Sequence, residues 1–422
     1  MTKLSFKQCV AAGTCVLLLL GATMVWAQEY TSVREVRQDA TLARDFNLQG
    51  EYVTETDNAK FGLQLIADGD GKFRYVVYRG GLPGEGWNTG DIRILGTAAV
   101  DGDNTLVFKA EKFVRDGNER AIDNAPEQKA VWQSVQPPRP QGQAGGQGGG
   151  NRPQGQGGNR PQGQGQGFAF PRMTIDMKIR DTDVTFTKTQ RRSTTLGARA
   201  PEGAVVIFDG TNVDMFEPGA KINEFTFPTQ GQGGNRQQGQ RQGQGQRQGQ
   251  GQRQGQGQRP AGFGNTLWAE AAAKPWDQKP YTLHVEFMLS YMPTARGQAR
   301  SNSGVYIDEA YECQVLDSFG LELANNECGG FYQIAAPSIN MCFPPLTWQT
   351  YDFDVTPPKY EDGKKVANAR VTVKHNGVVI HDNIELPKET PGRKAEANEP
   401  RGVYLQGHGN KVQFRNIWVK YN

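Results

Sequence analysis

A period of two restricts this chain more than any other feature. Met173, Ile175, Met177 and Ile179 alternate with Thr174, Asp176 and Lys178, and Tyr281, Leu283, Val285, Phe287 and Leu289 alternate with Thr282, His284 and Glu286. Successive side chains of a strand point to opposite faces, so the spacing predicts half-buried strands. Turn signals bracket further candidates. Residues 63–67 and 73–78 flank Asp68-Gly69-Asp70-Gly71, and residues 92–95 and 105–108 flank Asp101-Gly102-Asp103-Asn104. Asn376-Gly377 predicts a type I′ hairpin because both positions tolerate positive φ, which puts His375 at a solvated tip. Residues 32–43 are the one stretch expected as a helix of length. Fold class is therefore mainly β, with many antiparallel strands.

Two segments interrupt the pattern. Residues 136–167 hold Gly-Gly-Asn-Arg-Pro-Gln-Gly-Gln twice, from Gly149 and from Gly157, and residues 230–262 carry Arg241, Arg247, Arg253 and Arg259 at equal intervals. Neither has apolar side chains at a regular interval, so no core offsets the entropy of ordering. Both are read as disordered Gly/Gln/Arg-rich insertions, one in a small N-terminal β domain over 28–200 and one in a second domain over 201–422. The tracts lack the aromatic platforms of single-strand binders, and the net charge is only +3, so no nucleic-acid partner is expected.

Lys3 and Lys7 precede a mostly apolar run over 10–24 and the small-residue site Val25-Trp26-Ala27. This predicts a signal peptide over 1–27, a secreted or periplasmic product, and no integral membrane segment after cleavage. Cleavage leaves Cys313, Cys328 and Cys342. Export permits disulfides, and Cys328 with Cys342 is the expected bridge, stabilising by about 3 kcal/mol on the chain-entropy argument. Cys313 reads as a small buried hydrophobe. No metal-ligand spacing occurs, so neither metal nor cofactor is called for. The loop that carries Trp87 is read as a structural anchor.

Several motifs then follow in order: Val206-Ile207-Phe208-Asp209-Gly210-Thr211, Leu267-Trp268 with the strand over 281–289, Asn302-Ser303-Gly304-Val305-Tyr306, and Tyr311-Glu312-Cys313-Gln314-Val315-Leu316-Asp317. Trp348-Gln349-Thr350-Tyr351, His375-Asn376-Gly377, and the run from Gly402 to His408 with Phe414-Arg415-Asn416-Ile417 complete the set. From Gly203 onward the chain resembles the 3-keto-disaccharide hydrolase domain family. The resemblance implies a concanavalin A-like jelly-roll sandwich with a sugar groove. It also implies an exported hydrolase or lyase that cleaves 3-keto-disaccharides or related oxidised glycosides.

In an extended strand Glu312 and Gln314 share a face, and Asp317 joins them only across a bulge. Ordinary glycoside hydrolysis needs two carboxyl groups, and Gln314 cannot ionise. The resemblance implies another route. A carbonyl at sugar C3 acidifies the C2 hydrogen, so the bond can break by elimination, given one base, a donor or cation for the enolate, and an acid for the leaving oxygen. Glu312 and His408 are the catalytic candidates. Gln314, Asp317, Gln406, Arg415, Glu286 and Tyr306 are the candidate sugar contacts. A cation between Glu312, Asp317 and His408 is not demanded by any dense ligand cluster. The plain readings stand beside these: a polar strand face for Glu312 and Gln314, a turn cap for His408, and a non-catalytic carbohydrate-binding or cell-surface protein for the whole.

Overall fold

The structure, a computed structural model, describes residues 27–57, 59–135, 172–179, 182–224 and 265–422. Apart from Ala27, the expected signal peptide lies outside these residues, as do both low-complexity segments.

The N-terminal part is a closed antiparallel barrel. Its strands are β1 Gly50–Thr56, β2 Ala59–Gly69, β3 Lys72–Arg79, β4 Arg93–Val100, β5 Thr105–Arg115, β6 Gln128–Val135, β7 Arg172–Ile179 and β8 Thr182–Thr189. Each pairs with the next in sequence, and β8 returns to β1 with Glu51 opposite Thr189. The eight-stranded ring therefore has no open edge, and a short strand, Asn118–Ala121, adds to β5 outside it. Alternate side chains fill the inside, among them Tyr52, Leu65, Phe73, Phe108, Ile175 and Phe186, all fully buried. The single helix expected ahead of the barrel is two, Val33–Val36 and Ala40–Leu48, because Asp39 turns extended and caps the Leu42 N–H at 2.8 Å, starting afresh.

The C-terminal part has two sheets over one core. The larger runs in the order β10 Ile222–Asn223, β11 Thr266–Trp268, β20 Gln413–Tyr421, β13 Tyr281–Met288, β16 Trp348–Thr356, β17 Ala369–His375 and β18 Val378–Leu386, with β9 Val205–Phe208 also on β20. The smaller runs β12 Ala271–Ala272, β19 Tyr404–Leu405, β14 Ser303–Ile307 and β15 Tyr311–Val315. Val305, Leu405, Cys313 and Val315 of the smaller sheet meet Leu283, Val285, Phe287 and Phe353 of the larger one in a common core. Asn376 and Gly377 do form the expected turn, with φ of 53° and 86°. His375 is the correction: it is 1 % exposed, packs on Phe287 and Tyr351, and its Nε2 bonds Gln349 at 3.0 Å.

Barrel and sandwich share buried surface. Ile66, Val76, Tyr78 and Trp87, on the outside of the barrel, belong to the sandwich core, and Trp87 packs edge-on against Tyr78 as the structural anchor the sequence suggested. Arg191 forms a buried pair with Glu51, and the Arg300 guanidinium bonds both Asp317 and the Ala67 carbonyl. Both low-complexity segments leave from hairpins: Val135 pairs with Arg172, and Asn223 with Thr266. No helix among the described residues is long and apolar enough to cross a membrane.

Candidate active site

Strand parity builds the site. Tyr306 pairs with both Glu312 and Tyr404, so these three form a row across the small sheet on the face away from the core. Gly304 pairs with Gln314 and accepts the Gln406 N–H at 2.8 Å, which sets Gln314 and Gln406 in the next row. Gly304 has a physical reason to be glycine: a Cβ there would lie 2.3 Å from Glu312 Oε1. The motif Asn302-Ser303-Gly304 thus clears the space that its partner strand's carboxyl occupies.

Glu312 is 4 % exposed. Tyr306 Oη lies 2.9 Å from Glu312 Oε2 and 2.8 Å from the Pro391 carbonyl, and Gln406 Nε2 donates to that hydroxyl at 3.3 Å. A hydroxyl has one proton, so Tyr306 donates either to the carboxylate or to Pro391. On the other side, the Gln314 amide stands between Gln298 Oε1 at 2.9 Å and the pair Glu312 Oε1 at 3.0 Å and Ser303 carbonyl at 3.2 Å. Turned toward Glu312 the amide nitrogen donates to a carboxylate; turned away it leaves an oxygen that a protonated Glu312 bonds. Both neighbours therefore accommodate either charge state.

The energetics set this carboxyl apart. Glu51 is paired with Arg191, Glu286 with Arg415, Asp317 with Arg300, and Glu309 with Arg393 and Lys394. Among the described buried carboxyls, Glu312 and Asp308 have no cationic partner within salt-bridge distance. Burial pushes Glu312 up to about 7, against the smaller opposing effect of the Tyr306 hydrogen bond. Asp308 is raised to about 6 by burial, but its Oδ1 accepts from the core hydroxyl of Tyr281 at 2.9 Å and does not join the Glu312 row.

A strap lacking regular secondary structure crosses the row. Thr390 Oγ1 accepts the Glu312 N–H at 2.8 Å, the Pro391 carbonyl meets Tyr306, and Gly392, at φ +104°, lies so close that a Cβ would sit 2.6 Å from the Tyr306 hydroxyl. Arg393 then lies over the Tyr404 ring, 4.0 Å from its centroid. Sequence reasoning missed Tyr404, Thr390, Arg393 and Glu309. Pro391-Gly392 marks a break in the chain, but nothing local says which sheet it covers.

The expected residues divide. Glu312, Gln314, Tyr306 and Gln406 come together. His408 lies exposed in the turn after Gln406, beyond the same small sheet, and no hydrogen bond links it to Glu312. Asp317 is not in the group: its Oδ2 takes the Arg300 Nε at 2.6 Å in the junction with the barrel. Glu286 and Arg415 are not either. They bond each other at 2.7 Å on the larger sheet, where Glu286 also accepts from Gly197 N and from Asn416, pinning the linker out of the barrel. The proposed cation ligands Glu312, Asp317 and His408 are consequently apart, and among the described residues no three His, Cys, Asp or Glu side chains converge as a metal site. Cys328 and Cys342, the expected bridge, are free buried thiols that contact each other, Cys328 Sγ also meeting the Tyr351 hydroxyl at 3.2 Å and Cys342 Sγ the Leu316 carbonyl at 3.6 Å.

Residues 203–420, just over half of the chain, match the 3-keto-alpha-glucoside-1,2-lyase-like domain. The chain belongs to that family. In this lyase-like domain lie both sheets and every residue of the Glu312 row, and membership supports a glycoside-acting domain. Solved structures give further likenesses. A candidate glycosyl hydrolase from Parabacteroides distasonis is 22 % identical, with 53 % of this chain and 85 % of that one covered, at a TM-score of 0.38. A second one from the same organism is 18 % identical, with 37 % and 80 % covered and a TM-score of 0.26. Trypanosoma rangeli sialidase is 8 % identical, with 88 % and 60 % covered and a TM-score of 0.24. No curated protein matches the chain.

Proposed function

We propose that this chain is exported to the periplasm or beyond and there cleaves the glycosidic bond of 3-keto-disaccharides or related oxidised glycosides by elimination. One observation carries the reading: on the outward row of the small sheet Glu312 is a carboxyl without a cationic partner, buried among neutral hydrogen-bonding partners and held at about 7. A two-carboxyl glycosidase needs a second acid facing the first, and the matching position is Gln314. One base near neutrality suits abstraction of a C2 proton made acidic by a C3 carbonyl.

Glu312 is the base in this reading, steadied by Tyr306. Gln314 and Gln406 orient sugar oxygens, and Gln406 Oε1 is buried with no partner among the described residues, an acceptor left for a sugar hydroxyl. His408, on the turn that follows Gln406, supplies the proton for the leaving oxygen. The sugar reaches Glu312 when residues 390–393 lift, and the strap closes again over the bound sugar.

The test is incubation of the purified chain with 3-keto-trehalose, 3-keto-sucrose and the unoxidised parent sugars. Release of 3-keto-glucose or its glycal from the keto sugars alone is the expected result. Cleavage of the parents at equal rate, or of none, refutes it.

A further inference from the structure

We propose that Arg393, carried on the strap over the small sheet and held by Glu309, is the cation that takes up the negative charge formed at the sugar C3 oxygen. This rests on the elimination reading. When Glu312 takes the C2 proton, the C–H electron pair becomes the C2–C3 double bond and the C3 oxygen becomes negative. Collapse re-forms the C3 carbonyl, makes the C1–C2 double bond and breaks the C1–O bond, and the departing oxygen receives a proton. No oxidant or reductant enters. The step does need positive charge at the C3 oxygen, because fixed donors aimed at developing charge are the main source of such stabilisation.

The arginine expected for this task, Arg415, is committed to Glu286 and to the face of Trp348, 3.9 Å from that ring. Arg393 is reached from Glu312 through three successive contacts. Tyr306 bonds Glu312, the Tyr306 and Tyr404 rings lie 5.8 Å apart, and Arg393 covers Tyr404. Gln406 Nε2 donates to the Tyr306 hydroxyl at 3.3 Å, and its Oε1 has no partner among the described residues. An arginine on an aromatic face is partly desolvated, which strengthens its pull on an anion.

Glu309 holds that guanidinium side-on. It accepts Arg393 Nε at 3.1 Å and Nη2 at 2.7 Å, so Nη1 remains with no hydrogen bond among the described residues. Its other oxygen takes Lys394 Nζ at 2.8 Å, and its backbone carbonyl takes the Lys394 N–H at 3.1 Å. Glu309 is itself fixed by an unusual turn. Asp308 and Glu309 both adopt left-handed angles, φ 50° and 51°, between two paired strands, where Asn-Gly is the comfortable choice. A strained non-glycine pair at this point aims the Glu309 carboxylate at the strap and the Asp308 carboxyl at Tyr281. Nothing in the hairpin itself requires a glutamate there; the arginine and lysine of the strap do.

The experiment compares wild type, Glu312→Gln, Arg393→Gln, Arg393→Lys, Arg393→Ala and Glu309→Gln in the full chain on 3-keto-trehalose. Arg393→Gln is expected to lower kcat by about 100-fold with KM within about threefold, the loss typical of removing one donor to developing charge. Arg393→Lys retains charge without the fork and should fall between. Added guanidinium at millimolar concentration should restore part of the Arg393→Ala rate, while ammonium should not. Glu309→Gln should lower kcat by about tenfold, since the guanidinium is no longer held. If Arg393→Gln fails to fold, the lysine variant and the rescue decide. Arg393 variants with wild-type kcat, or losses confined to KM, or no rescue by guanidinium, overturn the role of Arg393 while Glu312→Gln remains inactive and the elimination reading stands. Absence of turnover in wild type removes both.

Discussion

Glu312→Gln should make the protein more stable in alkali while abolishing turnover. The carboxyl sits at about 7 in the fold against an ordinary 4.5, because burial disfavours the charge and only the Tyr306 hydrogen bond opposes that. Below 4.5 both folded and unfolded chains carry the proton, so the group is neutral in its effect. Between 4.5 and 7 the unfolded chain releases the proton and the folded one keeps it, so stability falls as pH rises; above 7 the loss is complete. At about 1.4 kcal/mol per pH unit, the interval amounts to about 3 kcal/mol. Glutamine preserves the shape and meets both Tyr306 and Gln314 without a charge. Urea unfolding of the two proteins, followed by tryptophan fluorescence, should show them close at about pH 4 and the variant ahead by about 3 kcal/mol at about pH 9. A difference that does not change with pH, or a variant that is weaker in alkali, would refute the claim that Glu312 is an uncompensated buried acid.

Tyr306→Phe removes the hydrogen bond that lowers Glu312, so the acid limb of kcat/KM against pH should move to higher pH; an unmoved limb refutes the contact. His284 is pulled down by burial, but the Asp352 and Glu286 carboxylates outweigh this and leave it raised above 6.5. Its stabilising charge is fully present below 6.5 and is lost as pH rises through the higher folded value. Urea midpoints for Glu312→Gln should therefore decline with pH over that window, and those for Glu312→Gln with His284→Gln should not. Asp317→Asn leaves the buried guanidinium of Arg300 with only the longer ion pair to Asp68, at 3.6 Å, and should cost about 3 kcal/mol in urea unfolding, where a cost under about 1 kcal/mol would mean the pair is dispensable. Thiol titration of residues 28–422 in denaturant without reductant should count Cys313, Cys328 and Cys342; a single reactive thiol would mean that Cys328 and Cys342 join.

Much of the architecture is legible because parity is local. The Met173, Ile175 and Met177 series faces the barrel interior, and the Leu283, Val285 and Phe287 series faces the sandwich core, each as its alternation requires. The same parity that puts Glu312 with Gln314 also puts Glu286 on the outside of the larger sheet, and it argues against grouping Glu286 with residues of the smaller one. His375 shows the limit. Its turn is written in Asn376-Gly377, but its burial comes from Phe287 and Tyr351 on other strands. Barrel closure depends on β1 meeting β8 across the whole domain, and no local pattern records that. Arg393 and Glu309 come from a strap and a three-residue turn with no periodicity to read, so their meeting is visible only in three dimensions.

The pairing of Val135 with Arg172 and of Asn223 with Thr266 has a consequence for how this gene can change. Each repetitive stretch hangs from two residues that are already hydrogen-bonded neighbours, so adding or losing repeat units leaves strand register untouched. Loop closure grows only logarithmically, by about 0.6 kcal/mol per doubling of length. Slippage during replication can therefore lengthen or shorten either stretch with little selection from folding, and the Gly/Gln/Arg repeats sit at the two hairpins where such drift is cheapest.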